Sequence, residues 1–163
     1  MRLLKEEEKD MPKLYMLIGV PGSGKSTWIK DQNWALGLNI VSTDVWIDDY
    51  AKRMGKTYSE VFDEYIPIAT KFMEDQVVFC REHSLDVIWD QTNMSAKSRA
   101  KKLAKLPNYE KIAVVFRTPE KAELDRRLSN RPGKFISETV MNSMIKSYNE
   151  PTEEEGFKEI WYV

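Results

Sequence analysis

Residues Gly19–Thr27 read G-V-P-G-S-G-K-S-T, a complete phosphate-binding loop of the form G-x-x-x-x-G-K-[ST]. Gly22 and Gly24 let the backbone wrap around a phosphate, so that its N–H groups and the positive end of the next helix bind the anion. Lys25 is placed to reach the outer phosphates, and the Ser26 hydroxyl to bind Mg²⁺. A glycine-rich turn without a ligand would explain the glycines, but it would not explain Lys25 and Ser26.

The sequence on both sides of this loop supports the same interpretation. Leu14–Ile18 is a short apolar run that is typical of a buried strand, and Ser26–Lys30 can open a helix. The motif binds triphosphates in the context of a strand before it and a helix after it. We therefore predict that the nucleotide is bound by Gly22, Ser23, Gly24, Lys25, Ser26 and Thr27.

The composition indicates one globular domain of a cytoplasmic protein. The chain has 163 residues, of which 31% are charged and 42% hydrophobic, and its net charge is −1. This small charge excludes a global attraction to nucleic acid, and no apolar run approaches the roughly 20 residues that span a membrane. Residues 1–12 are predicted to be a charged, frayed leader and residues 13–163 the domain. The one cysteine, Cys80, favours a reducing compartment and is interpreted as a core residue.

Strand-like and helix-like segments alternate along the sequence. After the first strand, strands are predicted at residues 39–42, 86–90, 111–116 and 157–163. Helices are predicted at residues 57–83, from 95 to about 106, from 118 onward and at 137–148. Pro67 is expected to kink or divide the first of these helices. The alternation predicts a single-domain α/β fold with a mostly parallel central sheet flanked by helices.

The carboxyl ends of the strands are expected to form one functional rim. Ligands of parallel sheets bind at this end, which brings the phosphate-binding loop together with Ser42–Asp44 and with Asp90–Asn93. The sequence lacks the N-K-x-D motif of GTPases and is short for a motor or helicase. A compact phosphoryl-transfer kinase is therefore predicted. Such an enzyme needs a base for the acceptor hydroxyl and cations for the transferred phosphoryl group.

Asp44 is the candidate base. It follows an apolar strand, where the rim places a carboxylate beside the γ-phosphate. The alternative is an N-cap for the helix that begins at Val45, because aspartate favours that position. The two roles are compatible.

The candidate cations lie in R-R-L-S-N-R-P-G-K at Arg126–Lys134. Arg127 and Arg131 are four residues apart, so a continuing helix would place them on one face before Pro132 ends it. Planar guanidinium groups match phosphate oxygens, which favours an arginine-bearing lid on the nucleotide. The alternative is a solvated helix end whose positive charge complements the helix dipole.

Several residues are candidates for binding the acceptor, and each of them could instead have a structural role. Asp90 ends an apolar strand, as does a carboxylate near Mg²⁺ in many phosphate-loop enzymes, but it could instead hydrogen-bond its own loop. Thr92 and Asn93 could contact substrate or build the same loop. Trp46 and Tyr50, four residues apart, could stack on a terminal base or pack in the core.

A basic stripe is a further candidate for contact with a phosphate backbone. Its members are Lys97, Arg99, Lys101, Lys102 and Lys105. The alternative is a solvated helix face.

At these residues the chain resembles the kinase domain of the polynucleotide 5′-hydroxyl kinases, the phage and animal end-healing enzymes. The match runs through the phosphate-binding loop, Asp44, D-Q-T-N-M-S-A-K-S-R-A at residues 90–100, E-L-D-R-R-L-S-N-R at 123–131 and the helix at 137–148. It spans about residues 13 to 148.

The resemblance implies transfer of the γ-phosphate of ATP, with Mg²⁺, to the 5′-hydroxyl end of DNA or RNA. The resemblance implies that Lys25 and Ser26 hold the phosphates and the metal, and that Asp44 activates the 5′-hydroxyl. It also implies that Arg127 and Arg131 are lid arginines on the nucleotide. Asp90 would support the acceptor site.

Two positions depart from the family pattern. Thr43 stands where family members often have an arginine before the catalytic aspartate, and Ile47 where the phage-type enzyme has an arginine that grips the acceptor phosphate. Two other hypotheses therefore stay open. One is a kinase for another hydroxyl, on a nucleoside, a sugar, a small antibiotic or a hydroxymethylated base in DNA. The other is a nucleotide-binding module without turnover.

Overall fold

The structure, a computed structural model, describes residues 11–32, 34 and 39–163, so most of the predicted leader lies outside it. The strands are β1 (Lys13–Ile18), β2 (Asn39–Val41), β3 (Val87–Trp89), β4 (Glu110–Val115) and β5 (Phe157–Tyr162). The helices are α1 (Lys25–Asp31), α2 (Asp44–Met54), α3 (Tyr58–Glu82), α4 (Ala96–Leu103), α5 (Lys121–Ser129) and α6 (Glu138–Ser147). Among these helices none is long and apolar enough to cross a membrane.

The described strands form one parallel sheet in the order β2-β3-β1-β4-β5. This confirms the predicted α/β fold. The chain leaves β1 toward the β2 edge, whereas it leaves β4 toward the β5 edge. Such a reversal opens a crevice at the carboxyl ends of the strands, which is where open α/β sheets bind ligands. The sheet thus places the phosphate-binding loop, which follows β1, at this crevice.

The core covers both faces of β1, as the apolar run predicts. Leu14, Met16 and Ile18 share one cluster with α3, including the fully buried Cys80. Tyr15 and Leu17 point to the other face, where Trp28 and Ile29 of α1 pack. Cys80 is therefore a core residue, as predicted.

Helix α3 begins at the predicted capping box but is not divided at Pro67. Thr57 Oγ1 accepts from Glu60 N at 3.2 Å, and a Glu60 carboxylate oxygen accepts from Thr57 N at 3.0 Å. The helix then runs through Pro67 to Glu82, so of the two effects expected of this proline, a kink or a division, the division is wrong. Buried residues lie on both sides of the proline, such as Tyr65 and Ala69, and their packing outweighs the lost backbone hydrogen bond.

Helix α5 begins later than predicted from Thr118–Pro119. Its first residue is Lys121, because Glu120 is still extended at φ −56° and ψ 150°. The first helical bond runs from Leu124 N to Glu120 O at 2.9 Å. The proline therefore precedes the helix and does not occupy its first turn.

The basic stripe on α4 is not a continuous surface. Arg99 is fully buried, and its guanidinium donates to Glu155 and to three backbone carbonyls. Lys102 donates to the side chain of Asn93, and Lys105 pairs with Glu74 at 3.2 Å. Of the five residues, Lys97 and Lys101 are the exposed ones. The burial of Arg99 thus excludes it from contact with a phosphate backbone, while the exposed Lys97 and Lys101 stay candidates for that contact.

Replacing Arg99 with methionine is expected to lower the free energy of unfolding by about 3 kcal/mol, because Glu155 and three carbonyls would lose a buried partner. Urea denaturation measures the change. Lys97→Met on the same helix is the control, since Lys97 is exposed, and should stay within about 0.5 kcal/mol of wild type. Equal denaturation midpoints for the two variants would show that the guanidinium does not anchor this region.

Candidate active site

A cleft of about 1170 Å³ opens at the carboxyl ends of the strands. Its walls are the phosphate-binding loop, the starts of α2 and α3, the segment after β3, and the segment from α5 to α6. Small-ligand pockets measure roughly 300–1,000 Å³, so this cleft has room for a nucleotide and a second substrate. The predicted rim is therefore present, and it contributes to one cavity.

The phosphate-binding loop has the backbone that an anion cradle needs. Gly22 and Gly24 adopt φ of 84° and 104°, a conformation that favours glycine. A Cβ at Gly22 would lie 3.1 Å from Leu124 Cδ1, because α5 packs directly on the loop. Lys25 opens α1, and its Nζ donates to Gly19 O at 2.5 Å and Val20 O at 3.2 Å.

The pKa shifts of Lys25 and Asp90 indicate that several charges share this cleft. Burial lowers the pKa of Lys25 to about 8, although the carboxylates of Asp90 and Asp44 act in the opposite direction. Burial also raises the pKa of Asp90, and the charge of Lys25 opposes that rise. The predicted phosphate-binding lysine therefore lies within electrostatic reach of both predicted carboxylates.

Asp44 is the first residue of α2, and its side chain does not cap that helix. Thr43 occupies the N-cap position, and the Ser42 hydroxyl accepts from Val45 N at 3.4 Å. Asp44 Oδ1 instead accepts from the Tyr58 hydroxyl at 2.6 Å. Burial and this hydrogen bond to Asp44 raise the pKa of Tyr58. The carboxylate is therefore held within the cleft by α3.

The two lid arginines lie in the cleft wall, but not on one helix face. Arg127 Nη1 donates to Gly22 O at 2.9 Å, and its Nε donates to Glu123 at 2.8 Å. Helix α5 ends at Ser129, so the prediction that Arg131 continues the helix is wrong. The reason is Pro132, which disfavours a helical residue before it. Arg131 Nη1 is buried without a hydrogen-bond partner among the described residues.

Glu123 lines the cleft and was not identified from the sequence. Hydrogen bonds from Arg126 and Arg127 lower its pKa to about 2. Its spacing of three and four residues from the two arginines is the signal that could have identified it. Glu123 orients Arg127 toward the phosphate-binding loop.

The remaining predicted acceptor residues separate into two groups. Asp90 and Thr92 line the cleft, and Thr92 O accepts from Gly19 N at 3.0 Å. Asn93 is buried, with its amide donating to Leu17 O at 2.8 Å, and is not part of the cleft wall. Trp46 packs on Phe72, with ring centroids 5.1 Å apart, and also lies outside the wall. Asn93 and Trp46 thus serve packing and loop architecture in this structure.

Both positions that depart from the family pattern are buried. Ile47 has no exposed surface and packs in a cluster between α2 and α3. Thr43 is 7% exposed, and its hydroxyl accepts from Gln91 Nε2 at 3.4 Å. Neither side chain presents a cation to the cleft.

The segment Gly133–Phe135, which we call the strap, is bound to the start of α3. Ser59 N donates to Gly133 O at 2.9 Å, and Phe135 N donates to the Ser59 hydroxyl at 2.8 Å. A Cβ at Gly133 would lie 2.8 Å from Thr57 Cβ, so glycine is needed for this approach. Lys134 Nζ pairs with Asp48 at 3.0 Å. No local pattern in the sequence indicates these contacts.

Known proteins match this chain in family and in fold. A family model described as an AAA domain, AAA_33, matches residues 14–151. A structure described as a kinase from Chloroflexus aurantiacus has a TM-score of 0.66 and 14% identity, over 94% of this chain and 85% of that one. A sugar kinase from Janibacter sp. HTCC2649 has a TM-score of 0.62 and 14% identity, over 93% and 84% of the two chains. These two likenesses show a shared fold alone.

A chain in a structure of the Pnkp1/Rnl/Hen1 RNA repair complex is similar to this chain, with a higher sequence identity than these two kinases. The match has 26% identity and a TM-score of 0.61 and covers 84% of this chain. It covers 44% of the other chain, so this chain spans less than half of that length. The comparisons confirm the predicted kinase fold, while the narrower resemblance to polynucleotide kinases stays a prediction.

Proposed function

Because this chain belongs to the AAA_33 family of AAA domains and has the fold of a phosphate-loop kinase, we propose that it transfers the γ-phosphate of ATP to the 5′-hydroxyl end of DNA or RNA. One observation carries the proposal of transfer: Asp44, held by Tyr58, lies in the same cleft as Lys25 and the phosphate-binding loop. The 26% identity to a chain of an RNA repair complex supports the acceptor.

The donor end of the cleft fits a triphosphate. Within the part of the chain that the structure describes, Arg131 Nη1 and Ser23 Oγ are buried without hydrogen-bond partners, which is costly unless a ligand satisfies them. The bonds of Lys25 Nζ run only to carbonyls of its own loop. Lys25, Arg127 and Arg131 would offset charge on the transferred phosphoryl group.

Ser26 is the residue that fits Mg²⁺. It is exposed beside Lys25 at the start of α1. In the part of the chain that the structure describes, no three His, Cys, Asp or Glu residues cluster to hold a metal. Magnesium needs no such cluster, because it usually binds one or two protein ligands together with substrate phosphates. When bound, Mg²⁺ neutralises phosphate charge.

Asp44 would act on the acceptor hydroxyl. Tyr58 occupies Oδ1 of Asp44, which leaves Oδ2 to accept the proton of the hydroxyl as it attacks the phosphoryl group. A general base must lie within hydrogen-bond reach of that proton, and the hydrogen bond from Tyr58 limits the rotation of the carboxylate within the cleft. Asp90, on the same wall, would support the acceptor site.

A kinase for another hydroxyl is the second candidate, and a specific observation favours it. Ile47 and Thr43 are buried, so the two positions where relatives grip the acceptor with arginine supply no cation here. An acceptor without a phosphate next to its hydroxyl would not need them. A nucleoside, a sugar or a hydroxymethylated base meets this condition.

Transfer of label from γ-labelled ATP tests the proposal. The acceptors are 5′-hydroxyl DNA and RNA oligonucleotides, DNA with internal hydroxymethylated bases, nucleosides and sugars. Label on the oligonucleotide 5′ ends is the expected result. Label on another acceptor alone would select the second candidate, and ATP binding without any transfer would indicate a nucleotide-binding module.

The affinity for ATP is expected to fall at alkaline pH. The pKa of Lys25 is lowered to about 8, so the free protein loses this charge as the pH rises through 8. A triphosphate favours the charged amine, so binding above this pH requires proton uptake and the dissociation constant should rise by up to about tenfold per pH unit. Titration calorimetry from about pH 7 to about pH 9 measures it. A flat profile would contradict this role of Lys25.

A further inference from the structure

We propose that the acceptor end of the cleft recognises a flat ring, an unpaired nucleobase that carries or adjoins the acceptor hydroxyl, by stacking on Phe62 and Phe135. The inference rests on the proposed function and narrows its acceptor class. In this proposal the acceptor is bound through its base and not through a phosphate.

The charges of the cleft wall divide it into two ends. Lys25 and Arg127 lie at the phosphate-binding loop and form the donor end, whereas the charge of Arg131 acts on the pKa of both Lys25 and Tyr58, so this arginine lies between the two ends. The other cations in the wall are Arg126, which pairs with Glu123 beside that end, and Lys134. The positive charge of the described wall is therefore concentrated where a triphosphate belongs.

The acceptor end, around Asp44 and α3, is poorly suited to a phosphate. Apart from Arg131, its cation is Lys134, which pairs with Asp48 at 3.0 Å and lies 4.7 Å from the centre of the Tyr58 ring. Asp63 and Asp90 line the same cleft as Asp44 and add negative charge. An acceptor that depended on a phosphate for its affinity would meet repulsion here.

The same end presents aromatic side chains. Phe135 lines the cleft, and its side chain is 81% exposed. The backbone of its strap is hydrogen-bonded to Ser59 at both ends, through Gly133 O and Phe135 N. Its ring is thus presented from a fixed backbone. Phe62 also lines the cleft, beside Tyr58, with ring centroids 5.6 Å apart. Bases stack on such side chains with little dependence on sequence, because every base has a π face.

The first test replaces the aromatic rings. Phe135→Leu and Phe62→Leu should each raise the KM for a base-bearing acceptor by about tenfold, a loss typical of one base–aromatic stack, with the KM for ATP unchanged. Phe79→Leu is the matched control, because Phe79 is an exposed aromatic residue of α3 outside the cleft wall. Acceptor KM values equal to wild type in both cleft variants would overturn the proposal. Tyr58 is left intact because it holds Asp44.

The second test varies the acceptor. A 5′-hydroxyl oligonucleotide with a terminal base should be phosphorylated at least about tenfold more efficiently than the same strand with an abasic 5′ residue. Its KM should change little with salt concentration, because few phosphates are neutralised. Equal use of the abasic strand, or a steep salt dependence, would overturn base recognition.

The same panel separates this inference from the proposed function. If 5′ ends receive no label but DNA with a hydroxymethylated base or a free nucleoside does, the 5′-kinase proposal fails and base recognition stands. If sugars and other non-aromatic alcohols alone receive label, or if no acceptor does, base recognition is overturned.

Discussion

Replacing Asp44 with alanine is expected to lower phosphoryl transfer by about 10³- to 10⁴-fold and to leave the dissociation constant of ATP within about twofold of wild type. The carboxylate lies in the cleft and is bonded by Tyr58, while the described contacts of the phosphate-binding loop do not include it. Its removal therefore affects the attacking hydroxyl and leaves the nucleotide contacts in place.

The comparison should be made near pH 7, because Asp44 raises the pKa of Lys25 and its loss would lower that pKa below the present value of about 8. Single-turnover transfer and calorimetric ATP binding are the two measurements. Asp49→Ala is the matched control, since this aspartate lies on the same helix and pairs with Arg53 at the surface. Equal loss of ATP binding and transfer in Asp44→Ala would show that the carboxylate is structural.

Replacing Lys25 with alanine should instead weaken ATP binding and transfer together, and transfer by about 10³-fold. The lysine is the buried cation of the loop, and its depressed pKa of about 8 reflects the cost of holding that charge away from water. A triphosphate compensates this cost, so the charge contributes to binding and, more strongly, to the transition state, where negative charge shifts on the phosphoryl oxygens.

The control for this variant is Lys30→Ala, an exposed lysine at the last turn of the same helix, which should bind ATP as the wild type does. The pH dependence gives a second readout. If Lys25 is the group that titrates, Lys25→Ala should lose the decline in ATP affinity above pH 8 that the wild type shows. Retention of that decline would assign the titration to another residue.

The strap connects the two ends of the cleft. Arg131, whose charge acts on the pKa of Lys25 and of Tyr58, lies directly before Pro132 and the strap, and the strap is bonded to Ser59 at the start of α3. Tyr58, the neighbour of Ser59, holds Asp44. The strap and the proposed base are therefore both tied to the start of α3, and Arg131 adjoins the strap. A displacement of the strap is expected to act on both ends of the cleft.

Patterns that act over a few residues were predictable from the sequence. The phosphate-binding loop, the strand before it, the helix after it and the capping box at Thr57 depend on neighbours within about four positions. All of them are present. Asp44 and Asp90 could be placed on one rim because parallel strands present their carboxyl ends together. The division of the helix that was expected at Pro67 does not occur, because local propensity does not include the packing of α3 on the sheet.

The sequence by itself determined the parallel α/β fold and the phosphate-binding loop that follows its first strand. The tertiary structure alone decided what surrounds Asp44, because those contacts join residues far apart in the chain. Tyr58 bonds Asp44 across 14 positions, Phe135 bonds Ser59 across 76, and Arg127 bonds Gly22 across 105. Spacing along a sequence carries the periodicity of helices and strands. Which distant side chains meet is set by how the elements pack, and at the acceptor end this packing buries Ile47 and leaves Phe135 facing the cleft.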